Sequence, residues 1–227
     1  ATFKRGIRFH QIPTTLLSMV DASIGGKLGV NLNDQKNQIG LLKNPESTLI
    51  NPVFLNTLND YEMKSGFAEI IKHTLIADKI KWTELIKTQI DNIKWGELIY
   101  HSVNIKNTIV VKDPIDKKER KKLNFGHTYG HAIESFYLQK GTPISHGESV
   151  LMGILLETEM SHLNNNDKLE IKNYILSNFN LPNIPMKQDL IEFMKNDKKN
   201  KNNKINFSLL EGIGKCSIDN LFSENEL

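Results

Sequence analysis

The stretch NFGHTYGHAIE, residues 124–134, is followed by SHGES at 145–149 and preceded by GFAEIIKH at 66–73. On a helix, His127 and His131 project from one face, about 5.4 Å apart along the axis. Gly126 and Gly130 stand just before each histidine. Glycine inside a helix costs roughly 1 kcal/mol against alanine, so the pair predicts close approach of another backbone or of a ligand. His146 opens an apolar run, with Gly147 and Glu148 next to it. Glu69 lies among Phe67, Ala68, Ile70 and Ile71, with Lys72 and His73 three and four residues on. A carboxylate on such a face wants a cation, and a metal or Lys72 would serve. His127, His131, His146 and Glu69 are together enough to hold one divalent metal and leave a coordination position open. The spacing of HTYGH matches that of zinc proteases, but the glutamate that acts as their general base is missing, which argues against that class. The bland alternative makes these histidines ordinary core or surface residues, the reading given to His10, His101 and His162.

Outward from this stretch, apolar residues recur at three- and four-residue spacing over 53–61, 63–78, 82–93 and 95–112, which predicts helices. Pro114 and a charged segment break the series, and helices are predicted again at 126–140, 147–163, 167–178 and 187–195. KINFSLL and GKCSI predict a small hairpin around Glu211–Gly214, and 195–204 reads as a solvated loop. Before residue 53 the pattern differs. GIRFHQIP (6–13) and STLINP (47–52) read as strands ending at proline. Between them Gly25, Gly26 and Gly29 suggest a hairpin or tight turn where backbone must approach something closely. The chain is thus β-rich for about fifty residues and helical afterwards. Fifty residues are too few for an independent α/β domain, and Ala1 is no initiator methionine, so this part reads as the tail of something larger.

Composition narrows the function. A chain of 227 residues with 39% hydrophobic and 24% charged content is an ordinary globular protein. No apolar run approaches the length of a membrane helix and no signal peptide opens the chain. Cys216 is the single cysteine, so no internal disulfide forms, which fits a reducing, cytoplasmic setting. A net charge of +3 without a basic stripe interleaved with aromatics argues against nucleic acid. Only Arg5, Arg8 and Arg120 are arginine among 29 basic residues. Codon bias explains the scarcity, and it also raises the chance that a retained guanidinium serves phosphate or carboxylate recognition. Asp21, Lys27, Lys36 and Asn37 fall in the glycine-rich segment, Lys106 lies on a helix, and Arg120 and Asn124 precede the histidine pair. Several cations near a metal suit a small, acidic, phosphorylated substrate.

RGIRFHQIPTTLLSMVDASIGGKLGVN, KNQIG, GFAEIIKH, LNFGHTYGHAIE and HGES resemble, in order and over nearly the whole chain, the 3-dehydroquinate synthase family. The resemblance covers the later two-thirds of a typical member. It implies an α/β N-terminal remnant, residues 1–52, from an NAD-binding domain, followed by a mainly α-helical metal- and substrate-binding domain, residues 53–227. It implies conversion of 3-deoxy-D-arabino-heptulosonate 7-phosphate (DAHP) to 3-dehydroquinate with loss of phosphate, using NAD and Zn2+ or Co2+, in a homodimer. Glu69, His127 and His146 would then be metal ligands. His131 would transfer protons, with Asp116 and Lys72 as further catalytic groups. Arg5, Asp21, Asn37, Lys72, Lys106, Arg120, Asn124 and Lys199 would bind substrate. Thr14, Thr15, Lys27, Lys36, Phe54, Leu55, Asn56 and Thr57 would meet NAD. Asp116 departs from the family pattern, which carries a glutamate there. Alternatives are a related sugar-phosphate cyclase and a catalytically inactive metal-binding fragment; for this span alone, zinc binding without turnover is expected.

Overall fold

The computed structural model describes residues 3, 6–32, 35–195, 200 and 204–227, and the side chains of these except 31–32 and 35–38. Arg5, Lys198 and Lys199 lie outside the described residues, as do the side chains of Lys36 and Asn37. The described chain is mainly helical with a few short strands. Among the described residues no helix is long and apolar enough to cross a membrane.

The early segment forms little sheet. Strand β1 (His10–Gln11) pairs in parallel with β4 (Ser47–Thr48) over two residues only. Between them β2 (Lys27–Leu32) and β3 (Gln35–Leu42) make an antiparallel hairpin in which Val30 faces Ile39. The apolar stretch before the hairpin instead closes a short π-helical turn, Ser18–Ala22, and its Met19 and Val20 are buried.

Among the described residues seven α-helices follow. Asn59 caps α1 (Asp60–Ala77) by accepting from the Glu62 N–H, and residues Ser65–Ile76 are buried without interruption. A helix with no exposed face belongs at the centre of a bundle, and α1 sits there: its Phe67, Ile70, Ile71 and Leu75 share the main core with Leu16 and Met19 of the early segment, Ile99 and Ile109 of α3 (Trp95–Lys112), and Val150 and Ile154 of α5 (His146–Met160). α2 (Lys79–Leu85) and α6 (Asn165–Asn178) close the sides through Trp82 and Ile171. A second core joins Tyr129 and Ile133 of α4 (His127–Gln139), Met152 of α5, Leu190 and Met194 of α7 (Lys187–Lys195), and Phe207 of β5 (Ile205–Gly212). Strand β5 pairs antiparallel with β6 (Lys215–Phe222) as the hairpin expected near Glu211–Gly214.

Two predicted helices are shorter than their periodicity suggests. Over 53–61 the chain makes a 3-10 turn, Pro52–Thr57, because Asn51 accepts from the Val53 N–H and Pro52 starts the turn, after which Asn59 starts α1 afresh. Over 82–93, helix α2 ends at Leu85 and a separate 3-10 turn spans Ile90–Asn92. Asp78 fixes the start of α2 by accepting from the Lys81 N–H at 2.9 Å.

Candidate metal centre

Three elements converge on Glu69. Helix α1 carries it, α4 begins with His127, and α5 begins with His146. At the head of α5 the sequence Ser145-His-Gly-Glu148 builds a capping box: the Ser145 hydroxyl accepts from the Glu148 N–H at 3.1 Å and the Glu148 carboxylate accepts from the Ser145 N–H at 2.8 Å. The Gly147 N–H donates to Ser65 of α1 at 3.2 Å, which holds His146 over Glu69.

Farther along, α5 crosses α4 at Gly153. A Cβ there would stand 1.9 Å from the Gly126 carbonyl oxygen, so only glycine permits backbone contact at this crossing. The four-residue spacing that places His127 and His131 on one face does hold, with ring centroids 5.3 Å apart. The centroids of His127 and His146 are 5.4 Å apart.

The two oxygens of Glu69 face different company. Oε1 lies 3.4 Å from His127 Nε2 and 3.4 Å from His146 Nε2. Oε2 meets the Lys72 ammonium, with His73 Nε2 at 3.9 Å. Glu69 is fully buried, and neither oxygen sits in a hydrogen bond of normal geometry. Burial opposes its charge, but Lys72 first and then His146 and His73 hold its pKa well below the ordinary carboxylate value.

His127 Nδ1 donates to the Phe125 carbonyl at 3.2 Å. A neutral imidazole fixed in this tautomer turns a lone pair at Nε2 toward Glu69. Two acceptors then face each other at 3.4 Å, an arrangement that a cation between them relieves. Tetrahedral zinc ligands about 2.0 Å from the ion stand roughly 3.3 Å apart, and the ligand atoms of Glu69, His127 and His146 lie within 4.8 Å of one another. The trio fits a divalent metal.

Asp21, Glu69 and His73 also lie within metal-ligand distance of one another. Lysines already serve these carboxylates. Lys106 donates to Asp21 Oδ1 at 2.5 Å and to its carbonyl oxygen at 2.6 Å, and Lys72 covers Glu69 Oε2. Burial raises the Asp21 pKa, but Lys106 outweighs it and leaves the carboxyl below its usual range. His73 shares a hydrogen bond of 2.6 Å between Nδ1 and Ser102 Oγ, and burial, with Lys72 beside it, pulls its pKa down to about 3. This side of Glu69 is an ammonium site.

His146 gains a carboxylate on its far side, Glu134, at 4.0 Å from Nδ1. Burial opposes the imidazolium, yet Glu134 and Glu69 push its pKa up to about 9. The site attracts positive charge.

The remaining predicted positions fall in three places. Asp116, with a positive φ of 59°, pairs with Lys27 at 2.5 Å, so the β2–β3 hairpin meets the loop after α3. Asp113 organises that loop by accepting from the N–H groups of Lys117, Lys118 and Arg120 at 3.1, 2.6 and 3.1 Å. Arg120 is buried, and its guanidinium donates to Pro114 O at 3.1 Å and Gly25 O at 3.0 Å. Gly25 has φ of +97°, and a Cβ there would overlap the Arg120 guanidinium. Asn124 closes the 3-10 turn Glu119–Asn124 just before Phe125.

Thr15 exchanges hydrogen bonds with Ser18 at the start of the π-helical turn that carries Asp21, next to exposed Thr14. Phe54, Leu55, Asn56 and Thr57 belong to the 3-10 turn before α1. Among the histidines read as bland, His101 Nε2 pairs with Asp78 at 2.8 Å, and His10 Nδ1 shares a hydrogen bond with Ser47 Oγ at 2.8 Å.

Sequence reasoning missed Glu157. This carboxylate on α5 is fully buried and accepts from the N–H groups of Gly126, Thr128 and Tyr129 at 2.6, 3.0 and 3.1 Å. An acid that follows the apolar residues of VLMGILLETEM carried a signal like the one that singled out Glu69, although Glu159 two residues on shares it.

Comparison with known proteins bears on this geometry. A model of the 3-dehydroquinate synthase N-terminal region matches residues 1–65, and one of the C-terminal region matches residues 66–200. The chain is 39% identical over 238 residues to the 3-dehydroquinate synthase of Parabacteroides distasonis, covering 100% of this chain and 67% of that protein. It is 41% identical over 241 residues to the enzyme of the same name from Prochlorococcus marinus, covering 100% and 64%. The chain thus spans about two-thirds of the length of these relatives. A solved 2-deoxy-scyllo-inosose synthase, complexed with carbaglucose-6-phosphate, NAD+ and Co2+, superposes with a TM-score of 0.80 at 25% identity over 97% of this chain and 65% of that one. A 2-epi-5-epi-valiolone synthase from Streptomyces hygroscopicus, with NAD+ and Zn2+ bound, shares the fold at a TM-score of 0.84 and 24% identity over 99% and 65%.

Proposed function

The chain belongs to the 3-dehydroquinate synthase family, and from that membership and the Glu69 cluster we propose that it carries the metal and substrate half of an enzyme converting DAHP to 3-dehydroquinate with release of phosphate. The observation that carries the reading is Glu69 Oε1 at 3.4 Å from both His127 Nε2 and His146 Nε2, with its other oxygen left to Lys72.

Glu69, His127 and His146 would hold Zn2+ or Co2+. Once bound, the metal would supply Lewis acidity toward a substrate hydroxyl, and NAD would supply a reversible hydride acceptor. Lys72 and Lys106 are the buried ammonium groups of the site, suited to the substrate's carboxylate and phosphate. The departing phosphate needs cations, and releasing Lys106 from Asp21 would make one available. His131, on the same face of α4 as His127, would carry protons near neutral pH. Asn124, Asn37, Arg5 and Lys199 complete the proposed substrate set. Arg120 would join it through the N–H donors that its two backbone carbonyls leave over. Asp116 and Lys27 would act as a pair. NAD would lie against Thr14, Thr15, Lys27, Lys36 and the Phe54–Thr57 turn. In this reading residues 1–52 contribute to the NAD side and 53–227 to the metal and substrate side, in a homodimeric enzyme.

Zinc titration by competition with a chromophoric chelator should give one site. Glu69→Ala and His146→Ala should each weaken it by at least about 100-fold, since each removes a ligand. Zinc affinity like that of the wild type in either variant would overturn the assignment. Turnover is read in a chimera completed with the amino-terminal third of the Parabacteroides relative, as phosphate released from DAHP with NAD and zinc. A substrate panel including glucose 6-phosphate tests the sugar-phosphate cyclase alternative, to which the solved inosose synthase is similar.

A further inference from the structure

Helix α4 starts without a local cap. Its first flanking residue, Gly126, has φ of 78° and no side chain to offer, so the opening N–H groups need partners from elsewhere. Glu157 supplies them from the neighbouring helix, with Oε2 accepting from Gly126 and Oε1 from Thr128 and Tyr129. These three residues bracket His127. The amide just before the histidine and the two just after it are tied to one buried carboxylate.

We propose that Glu157 is a positioning residue for the metal centre: it fixes His127 against Glu69 and supplies the negative charge that lets a cation sit beside the start of α4. This inference rests on the metal reading above and deepens it.

Two physical arguments support it. The first is geometric. Helix α5 carries His146 at its first residue and Glu157 about three turns later, while Gly153 lets it touch α4 between them. One rigid helix therefore sets the positions of both imidazoles, directly for His146 and through the cap for His127. The hydrogen bond from His127 Nδ1 to Phe125 O, which orients the ring, ends on the residue next to the Gly126 anchor. The second argument is electrostatic. The start of a helix behaves as roughly half a positive charge, which repels a divalent ion bound at His127. A buried carboxylate on the same three N–H groups offsets it. Outer groups that orient metal ligands typically change affinity about 10- to 100-fold when lost.

Glu157→Gln keeps the size and one acceptor oxygen but removes the charge. Three measurements on the full chain test the proposal: zinc affinity, the visible absorption of the Co2+-loaded protein, and thermal unfolding of the metal-free protein. Zinc affinity should fall about 10- to 100-fold and the cobalt bands should shift. Glu170→Gln serves as the control. It disturbs a tie of comparable kind, the 2.7 Å hydrogen bond from Trp82 Nε1, but far from α4, and should leave both metal readouts as in the wild type. Glu157→Asp, which retains the charge but retracts it by one methylene, should fall between Gln and the wild type.

If folded Glu157→Gln or Glu157→Asp binds zinc like the wild type with unchanged cobalt bands, Glu157 is only a structural cap and the proposal fails. It fails equally if neither variant folds. Failure of the wild-type chain itself to bind zinc would sink the metal reading first, and this inference with it.

Discussion

Helices α1, α4 and α5 and the β2–β3 hairpin both carry predicted site residues, but they are held in opposite ways. Around Glu69 the backbone is locked by side chains from distant segments: Glu157 on the start of α4, Ser65 against Gly147, and glycine contact between α4 and α5. The hairpin instead relies on its own ladder and on the Lys27–Asp116 pair, and leaves Val30, Ile39 and Leu42 exposed. The difference suits a division of labour. A metal centre demands ligand positions good to a few tenths of an ångström, which only dense packing supplies. A hairpin that leaves these apolar side chains exposed can receive a ligand or another surface without unpacking a core.

The largest effect should come from breaking the locked region at its crossing. Gly153→Ala puts a methyl 1.9 Å from the Gly126 carbonyl oxygen, against backbone that has no rotamer to yield. Overpacking of this kind costs typically about 1–3 kcal/mol, and a loss of about 3 kcal/mol is expected because two helices must part. Urea unfolding measures it, and zinc affinity should fall with stability. A change below about 0.5 kcal/mol, the scale of a surface substitution, would mean that α4 and α5 are not locked at this point.

A smaller, two-sided effect is expected at Lys72, where removal of the ammonium leaves Glu69 buried without its lysine. Breaking a buried ion pair costs roughly 3 kcal/mol, part of which relaxation of the nearby imidazoles returns, so metal-free Lys72→Met should melt below the wild type. Zinc should restore more stability to this variant than it gives the wild type, because the metal becomes the carboxylate's main cation. Comparing zinc-induced shifts in melting temperature checks this. An equal or smaller shift in Lys72→Met would show that lysine and metal do not share the carboxylate's charge.

Much of the locked region was legible as pattern. Helical spacing located α1, α3, α4, α5, α6 and α7, and the motif order located Glu69, His127 and His146. Long-range ties were not legible. Ser102 on His73 and Glu157 on α4 join residues about thirty positions apart, and no local spacing encodes them. The early segment misled for a different reason. Its β-branched residues suggested longer strands at 6–13 and 47–52, but only two residues of each pair, since no further neighbouring strand among the described residues extends that ladder. At 53–61 and 82–93 the periodicity was real, but Asn51, Asn59 and Asp78 cap and restart the helices inside it.

The smallest effect should lie in the hairpin. Val30 and Ile39 face each other across β2 and β3 and are 61% and 46% exposed. Threonine at both positions keeps the β-branched shape that a strand favours and removes only apolar surface. Exposed substitutions of this kind change stability by no more than about 0.5 kcal/mol, and zinc affinity should stay at the wild-type value because no Glu69 contact is touched. The double variant read by urea unfolding and chelator competition sharpens the contrast. A loss above about 1.5 kcal/mol, the scale of burying an apolar side chain, would mean that the hairpin is packed against a partner surface in solution. A loss of zinc affinity at unchanged stability would instead mean that it is coupled to the metal centre through Lys27 and Asp116.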